Sequence, residues 1–410
     1  MLNEHRLRRE IVGEMHLRRW PPITPPMTIV QILRLAPNGA THEGLPPFRG
    51  SPAFVAEPGQ RHMQGILADG LLFTWERHSE ATTLTVFARP DAPLLAEARA
   101  WAESAPGEVL RATLIDIEAD AAAAAAKMAE FDVDPAELVC CDFGGGARLS
   151  SDFRIKDEGY GRLVVAAGQL GPVDLARAVQ SLQELGNYRN MALLGLPVAR
   201  ACWGKLDAAE EELRLFGRRL DSDESSDNEL LDALCAMSLE LGTIASDSRY
   251  RLSATAAYAR LVDERLATLA PVAIPGFASL ADFTQRRFYP AIRTCETVVR
   301  RQQELAERSA QLTSLLRTRI ETRIEDQNAQ LLKSLESATR TQLRLQHLVE
   351  GFSTVAITYY AVSLLAYLSG GLALFGVHVE HDIFAALVIV PVFIMLYVYL
   401  RRERHRLGAD

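Results

Sequence analysis

Two long apolar segments lie at the C-terminal end of the chain, and they constrain the fold more than any other feature. Phe352–Phe375 gives 24 consecutive residues without a charged side chain, and Ile383–Leu400 gives 18. A bilayer core about 30 Å thick takes roughly 20 apolar residues of α-helix. A large soluble protein can bury one such helix, but two in succession, joined only by GVHVEHD, indicate a transmembrane hairpin. We therefore predict membrane spans at about 352–375 and 383–400.

The distribution of arginines predicts the orientation of this hairpin. Arg340 and Arg344 precede the first span, whereas the connection between the spans contains Glu380 and Asp382 and no Lys or Arg. Four arginines follow the second span: Arg401, Arg402, Arg404 and Arg406. The positive-inside rule places both termini in the cytoplasm and the connection outside. The first twenty residues are charged throughout and lack the apolar region of a signal peptide.

A heptad repeat precedes the first span and predicts a stalk. Its spacing alternates between 4 and 3 through Ile324, Asn328, Leu331, Leu335, Ala338, Gln342, Leu345 and Val349. Asn328 and Gln342 take a positions, where polar side chains fix register and oligomer state at a cost in stability. A helix from about Tyr289 to Phe375 would be on the order of 130 Å long. A helix packed against its own chain is the alternative, but we expect a coiled-coil-like stalk that associates in a homo-oligomer.

The rest of the chain predicts a cytoplasmic α+β body. MTIVQILRL, TTLTVFA, VLRATLIDI and GRLVVAA have strand patterns, and 91–102 and 120–131 have helical patterns. Because strands and helices do not alternate strictly, an α+β sheet is favoured over a doubly wound fold. The predicted parts are an α/β domain at 1–168, a helical domain at 169–285, the stalk helix at 286–350, the hairpin at 351–402 and a cytoplasmic tail at 403–410.

Five stretches of the sequence resemble one bacterial family. They are EHRLRREIVGEMHLRRWPPITPP, FTWERHSEATTLTVF, NYRNMALLGLPVAR, LLRTRIETRIEDQNAQLLKSL and QLRLQHLVEGFSTVAITYY. That family is described as predicted membrane-anchored and is known as domain-of-unknown-function family 3422. The resemblance implies a multi-pass protein of the bacterial inner (plasma) membrane. The family has no assigned activity, so the resemblance gives no catalytic residues to carry over to this chain.

The predicted layout also resembles, in outline, the magnesium channels of the CorA class. Those channels combine a cytoplasmic α/β domain, a long stalk helix and two C-terminal spans, with both termini inside. Their Gly-Met-Asn signature at the end of the first span is absent here, where YLSGGLALFG stands. Shared layout is an argument by analogy, so a cation channel is the alternative function. In that case the first span would line the pore with Thr354, Thr358 and Ser363.

Motifs for catalysis are incomplete in this sequence. DFGGGARLS lacks the Lys-Ser/Thr of a P-loop and the companion loops of a kinase, so its glycines predict a turn. WERHSE places Glu76, His78 and Glu80 at alternating positions, where the solvent face of a hairpin is favoured over a catalytic pair. Five cysteines without a CxxC pair indicate neither a zinc site nor a disulfide framework. We predict a non-enzymatic protein without a cofactor.

The connection between the spans concentrates potential metal ligands. These are His378, Glu380, His381 and Asp382. In a symmetric oligomer each would form a ring at the outer membrane face, where carboxylate rings attract cations; a plain polar turn is the alternative. The expected partners are the lipid bilayer and other copies of this chain, with a divalent cation possible. A net charge of −8 argues against nucleic acid. The leading hypothesis is an oligomeric scaffold or tether that presents the cytoplasmic domain.

Overall fold

The computed structural model of the chain describes residues 4–15, 18–36, 44–49, 54–55, 60–221, 226–372 and 381–407. The chain divides into two compact units, Met1–Thr313 and Ser314–Asp410. The first unit contains a sheet with its helices, and the second contains helices. Together they give a mixed α+β domain followed by a long helix and a shorter one, as the sequence predicts.

A mixed nine-stranded sheet forms the centre of the first unit. Eleven strands are described, nine of them in this sheet: β1 (Met27–Leu35), β2 (Gly44–Leu45), β3 (Phe54–Val55), β4 (His62–Ile66), β5 (Leu72–Arg77), β6 (Ala81–Ala88), β7 (Glu108–Glu118), β8 (Val139–Phe143), β9 (Ala147–Ser151), β10 (Gly161–Ala166) and β11 (Val272–Ala273). The sheet order is β11-β8-β9-β10-β7-β1-β6-β5-β4, and β2 pairs with β3 separately. Strand β10 is parallel to β7, and the other neighbours are antiparallel. A mixed sheet of this kind excludes the doubly wound alternative.

Helices pack on this sheet and form most of the remaining described residues up to Leu407. They are α1 (Arg8–Glu14), α2 (Leu95–Glu103), α3 (Ala121–Met128), α4 (Pro172–Leu193), α5 (Gly195–Asp221), α6 (Asp227–Leu269), α7 (Leu280–Phe283), α8 (Tyr289–Leu372) and α9 (His381–Leu407). A π-helical turn at Thr284–Phe288 joins α7 to α8. Helices α4 to α7 belong to the same compact unit as the sheet. The long helix that the sequence predicts from about Tyr289 is therefore present.

The two faces of the sheet carry separate apolar cores. Side chains alternate across a strand, so Ile29 of β1 packs with α4, whereas the next residue, Val30, packs with α2 on the opposite face. Ile115 and Leu114 divide in the same way on β7. Because both faces are covered, β1 and β7 have the continuous apolar sequences of buried strands.

Helix α4 lies on the sheet at a position that requires the glycine-rich turn between β8 and β9. Pro172 occupies the start of α4, where the missing N–H has no helical partner to lose. Gly144 approaches α4 so closely that a Cβ atom there would lie 2.5 Å from the Cβ of Ala178. Gly144, Gly145 and Gly146 all have positive φ, which glycine adopts without strain. The turn predicted from DFGGGARLS is confirmed.

Candidate functional sites

The end of α8 is apolar and largely uncovered. The helical run Leu280–Leu368 contains an 18-residue window with a mean hydropathy of 1.4, and only 17% of that window is buried. By length and composition it is the one helix among the described residues that could cross a membrane. The apolar part of α9 within the described residues, Ala385–Tyr399, is shorter than a span. The second span at 383–400 therefore stays a prediction.

One narrow stripe of this apolar helix is buried. Its members repeat every four residues: Thr354, Thr358, Val362 and Ala366. The hydroxyl of Thr354 donates to the carbonyl of Glu350 at 2.8 Å, and that of Thr358 donates to the carbonyl of Thr354 at 2.7 Å. Ser363 is half-buried beside the stripe. Two of the three predicted pore-face residues thus lie on the buried stripe, with hydroxyls bonded to their own helix.

Helix α9 carries a matching stripe of partly covered residues. They are spaced 3, 4 and 4 apart: Ala385, Val388, Val392 and Leu396. The other α9 side chains described between Ile383 and Tyr399 are exposed. The end of α8 and helix α9 therefore each have one covered face and an exposed remainder that is also apolar, unlike a soluble amphipathic helix, whose exposed face is polar.

The predicted oligomer seam is uncovered in the single chain. The side chains of Ile324, Asn328, Leu331, Leu335, Gln342, Leu345 and Val349 are all exposed. Large apolar side chains in a heptad stripe are the surface that a partner helix would cover. Association between chains stays a prediction.

The predicted metal cluster falls at the edge of the described part of the chain. His378 and Glu380 lie outside it, and His381 and Asp382 begin α9 without a described side chain. Elsewhere among the described residues, no group of three or more His, Cys, Asp or Glu side chains could hold a metal ion.

A layer of polar side chains lies between the sheet and α4, and the sequence analysis missed it. Thr74, Thr85, Gln31 and Thr113 stand opposite one another on four neighbouring strands, β5, β6, β1 and β7. All four are buried. The signal was present as a glutamine in the middle of MTIVQILRL, an otherwise apolar buried strand. A buried amide needs hydrogen-bond partners, and these residues supply them.

Helix α4 completes this layer with two amides. The Oε1 atom of Gln183 accepts from Nη1 of Arg111 at 2.6 Å and from the hydroxyl of Thr113 at 3.0 Å. Asn187 accepts from the same Nη1 at 2.9 Å and donates to Oε1 of Gln31 at 3.2 Å. Gln31 donates in turn to the Thr85 hydroxyl at 3.0 Å. The network therefore connects three strands to α4 through neutral acceptors.

Gly186 is required where Arg111 meets α4. A Cβ atom at this position would lie 2.6 Å from Nη2 and 2.7 Å from Cζ of Arg111. The guanidinium therefore lies close against the helix backbone, and a larger residue at position 186 would have to displace it.

A small cavity beside the network is lined by ionisable side chains. Glu76, His78, Glu184 and Tyr188 contribute to its wall, next to Trp20. Its volume of about 10 Å³ accommodates about one water molecule. No substrate larger than water fits the cavity.

Glu76 and His78 do not lie on a solvent face, which corrects the interpretation favoured from the sequence. Only 13% of the Glu76 side chain is exposed, and Nε2 of His78 lies 3.2 Å from the Thr83 hydroxyl. The hairpin is covered because α4 packs over it, a contact that strand alternation alone does not reveal. Burial lowers the pKa of His78. Burial likewise raises the pKa of Glu184, although its ion pair with Arg265 at 2.5 Å opposes the shift.

Comparison with known proteins identifies the family and no more. No curated protein matches the chain, and no solved structure matches it. The profile of a family described as "Protein of unknown function (DUF3422)" matches residues 3–407. This match covers nearly the whole chain, including both compact units. The chain therefore belongs to the DUF3422 family.

Proposed function

We propose that this protein is a non-enzymatic, membrane-anchored oligomeric scaffold or tether that presents its α+β unit on the cytoplasmic side of the bacterial inner membrane. The observation that carries the proposal is the exposed apolar surface at the end of α8. Tyr367 is 80% exposed, Phe352 72% and Leu364 66%. Soluble monomers rarely expose contiguous apolar surface of this extent.

A lipid environment accounts for this surface better than a soluble core does. A core helix of a soluble protein is mostly buried, whereas this apolar window is 17% buried. Removing apolar surface from water stabilises by roughly 25 cal/mol per Å², and lipid tails would cover the faces that the chain leaves open. The buried stripe of threonines and alanine matches the small residues that let membrane helices approach closely.

The segment of α8 before the apolar window supports the oligomeric part of the proposal. Its heptad seam is exposed along 324–349, so it is free to meet the seam of another copy. The polar a positions Asn328 and Gln342 would set register and oligomer number. A scaffold needs no reaction chemistry, and the enclosed acid-base cavity offers no room for a substrate.

A cation channel of CorA-like layout is the alternative. It would need hydroxyls directed into a wet pore, but those of Thr354 and Thr358 already donate within their own helix. This contact favours the scaffold. The two functions separate in reconstituted vesicles: a channel gives a saturable divalent-cation flux that Glu380→Gln with Asp382→Asn reduces, and a scaffold gives no flux.

Membrane insertion is tested by placing an arginine in each part of α8. Leu364→Arg lies in the apolar window, and Leu343→Arg is a matched control at an exposed leucine of the polar segment. An arginine near the centre of a span costs about 2.5–3.5 kcal/mol of insertion free energy. We expect the wild type and Leu343→Arg to resist alkaline extraction from membranes, and Leu364→Arg to be extracted in larger part. A wild type that is released by alkali contradicts the anchor.

Orientation is tested with a thiol reagent that does not cross membranes. Cys235 is exposed on α6 and reports on the first unit, and Val379→Cys adds a reporter in the connection between the spans. In intact cells the reagent should label Val379→Cys and leave the wild type unlabelled. After permeabilisation it should also label Cys235, with Cys235→Ala as the control. Labelling of Cys235 in intact cells would contradict the proposed topology, because it would place the first unit outside the cell.

A further inference from the structure

Arg189 of α4 is a buried cation whose guanidinium has no hydrogen-bonding partner among the described residues. Its side chain is 7% exposed, and its guanidinium lies 4.8 Å from the ring centres of both Phe153 and Phe283. It makes no hydrogen bond with any residue that the structure describes, and Nη1 is fully enclosed. Stacking on two aromatic faces fixes the guanidinium plane and leaves the N–H groups at its edge unused.

A second arginine lies beside it. The guanidinium of Arg111 rests on Gly186, three residues before Arg189 on the same helix, and residues at this spacing are neighbours on a helix surface. Within the described part of the chain, Arg111 donates hydrogen bonds only through Nη1, and all its acceptors are neutral amides. The Nε2 atom of Gln183, also buried, has no acceptor in the part of the chain that the structure describes. Arg111, Arg189 and Gln183 thus each keep N–H groups without a described acceptor, and all three lie on or against the same stretch of α4.

The carboxylates of the surrounding elements pair with other cations. Glu184 pairs with Arg265, and Asp152 pairs with Lys156 at 2.6 Å. Burial, with a smaller contribution from the charge of Arg189, lowers the pKa of Arg111 to about 9. Burial alone lowers the pKa of Arg189 to about 10. Two like charges therefore lie in a poorly solvated part of the fold with no counter-charge among the described side chains, which is costly unless an anion is bound.

We propose that Arg111, Arg189 and Gln183 form a binding site for a small oxyanion, a phosphate or carboxylate group. Arginine forks suit such anions because two parallel N–H groups match two oxygens. Arg111 is partly exposed, so solvent reaches the site from its side. Gln31 and Asn187, which accept hydrogen bonds from Arg111, also line the water-sized cavity at Glu76 and His78, so the two features are adjacent. The proposed site does not depend on membrane anchoring.

The test is thermal unfolding of the detergent-solubilised full chain, followed by tryptophan fluorescence, with inorganic phosphate or acetate at constant ionic strength set by chloride. All four tryptophans lie in the first unit, at Trp20, Trp75, Trp101 and Trp203. A ligand that binds only the folded state raises Tm in a saturable manner. We expect such a rise with at least one probe, and the probe that binds more tightly identifies the source of the oxyanion.

The variants separate a binding role from a structural one. Arg189→Met should weaken the apparent affinity at least tenfold and leave Tm in chloride unchanged or higher, because an uncompensated buried charge is removed. Arg154→Met, which removes a cation paired with Glu137, should keep the full rise. Arg111→Gln provides a second loss-of-binding variant. No rise in the wild type with either probe, or an equal rise in Arg189→Met, overturns the proposal.

Discussion

The sheet of the first unit and the end of α8 contain similar apolar residues in opposite environments. Ile29 and Ile115 are fully buried between the sheet and α4, with a hydrogen-bonded polar layer beside them. At the end of α8, Leu364 and Tyr367 are largely exposed, and the covered stripe contains two threonines. Apolar side chains are therefore inside in one region and outside in the other.

This difference shows that composition alone does not define a core. In water, apolar side chains are stabilised by burial and a buried polar group must find a partner. In lipid, outward apolar side chains cost nothing, and helix association depends on close packing of small residues. Under the proposed membrane anchoring, the first unit and the apolar end of α8 follow two different solvent rules, and the comparison can be tested residue by residue.

The largest expected effect comes from truncating one phenylalanine in each region. Phe143 is fully buried against α4, so Phe143→Ala should lower the free energy of unfolding of the first unit by about 3–5 kcal/mol. Phe352→Ala, at an exposed position, should change it by less than about 0.5 kcal/mol. Denaturant unfolding followed by tryptophan fluorescence measures the first unit alone. Equal losses would mean that the end of α8 belongs to the same core.

A smaller effect is expected from removing one amide in each region. Gln183→Leu leaves the Arg111 guanidinium and the Thr113 hydroxyl without a shared acceptor, which should cost about 1–3 kcal/mol. Gln330→Leu, on an exposed part of α8, should stay within about 0.5 kcal/mol. The same fluorescence assay applies. A neutral Gln183→Leu would show that the polar layer does not contribute to stability.

Replacing the two polar residues of the oligomer seam should stabilise the oligomer rather than destabilise it. Asn328→Leu with Gln342→Leu places apolar side chains at two a positions. The dissociation constant of the oligomer should therefore fall at least about tenfold, which corresponds to about 1.4 kcal/mol of association free energy. Gln330→Leu lies off the seam and serves as the control. Analytical ultracentrifugation in detergent measures the mass and its concentration dependence. An unchanged mass distribution in the double variant would indicate that these residues face water.

The smallest effect is the pH dependence contributed by His78. Burial lowers the pKa of His78 below 6.5, with Arg18 acting in the same direction and Glu76 opposing it. The unfolded state then binds a proton that the folded state does not, so the free energy of unfolding falls as pH drops below 6.5. Above pH 6.5 the stability that is lost at lower pH is fully present.

His78→Gln should therefore flatten the dependence of stability on pH between about 5 and 7. His347→Gln, at an exposed histidine of α8, should leave it unchanged. Glu184 acts in the opposite sense, because a raised carboxyl pKa removes stability as pH rises above 4.5. If the pH profile of stability for His78→Gln runs parallel to that of the wild type, protonation of this imidazole does not affect the free energy of unfolding.

The sequence by itself determined the local elements. Strand β1 occupies Met27–Leu35, the same residues as the predicted run, because a strand buried on both faces is continuously apolar. The long helix from Tyr289 follows from the scarcity of helix-breaking residues over that stretch. The short strands β2, β3 and β11 escaped prediction because two residues carry no periodic signal.

Only the tertiary structure decided which side chains meet. Gln31, Arg111 and Gln183 come from β1, β7 and α4, far apart in the chain, and their contact depends on strand register and on Gly186. Sequence alternation could not show that α4 covers Glu76 and His78, since a strand pattern gives two faces without saying what packs on either. Periodicity is a local property of the backbone, whereas burial and the pairing of charges depend on non-local packing.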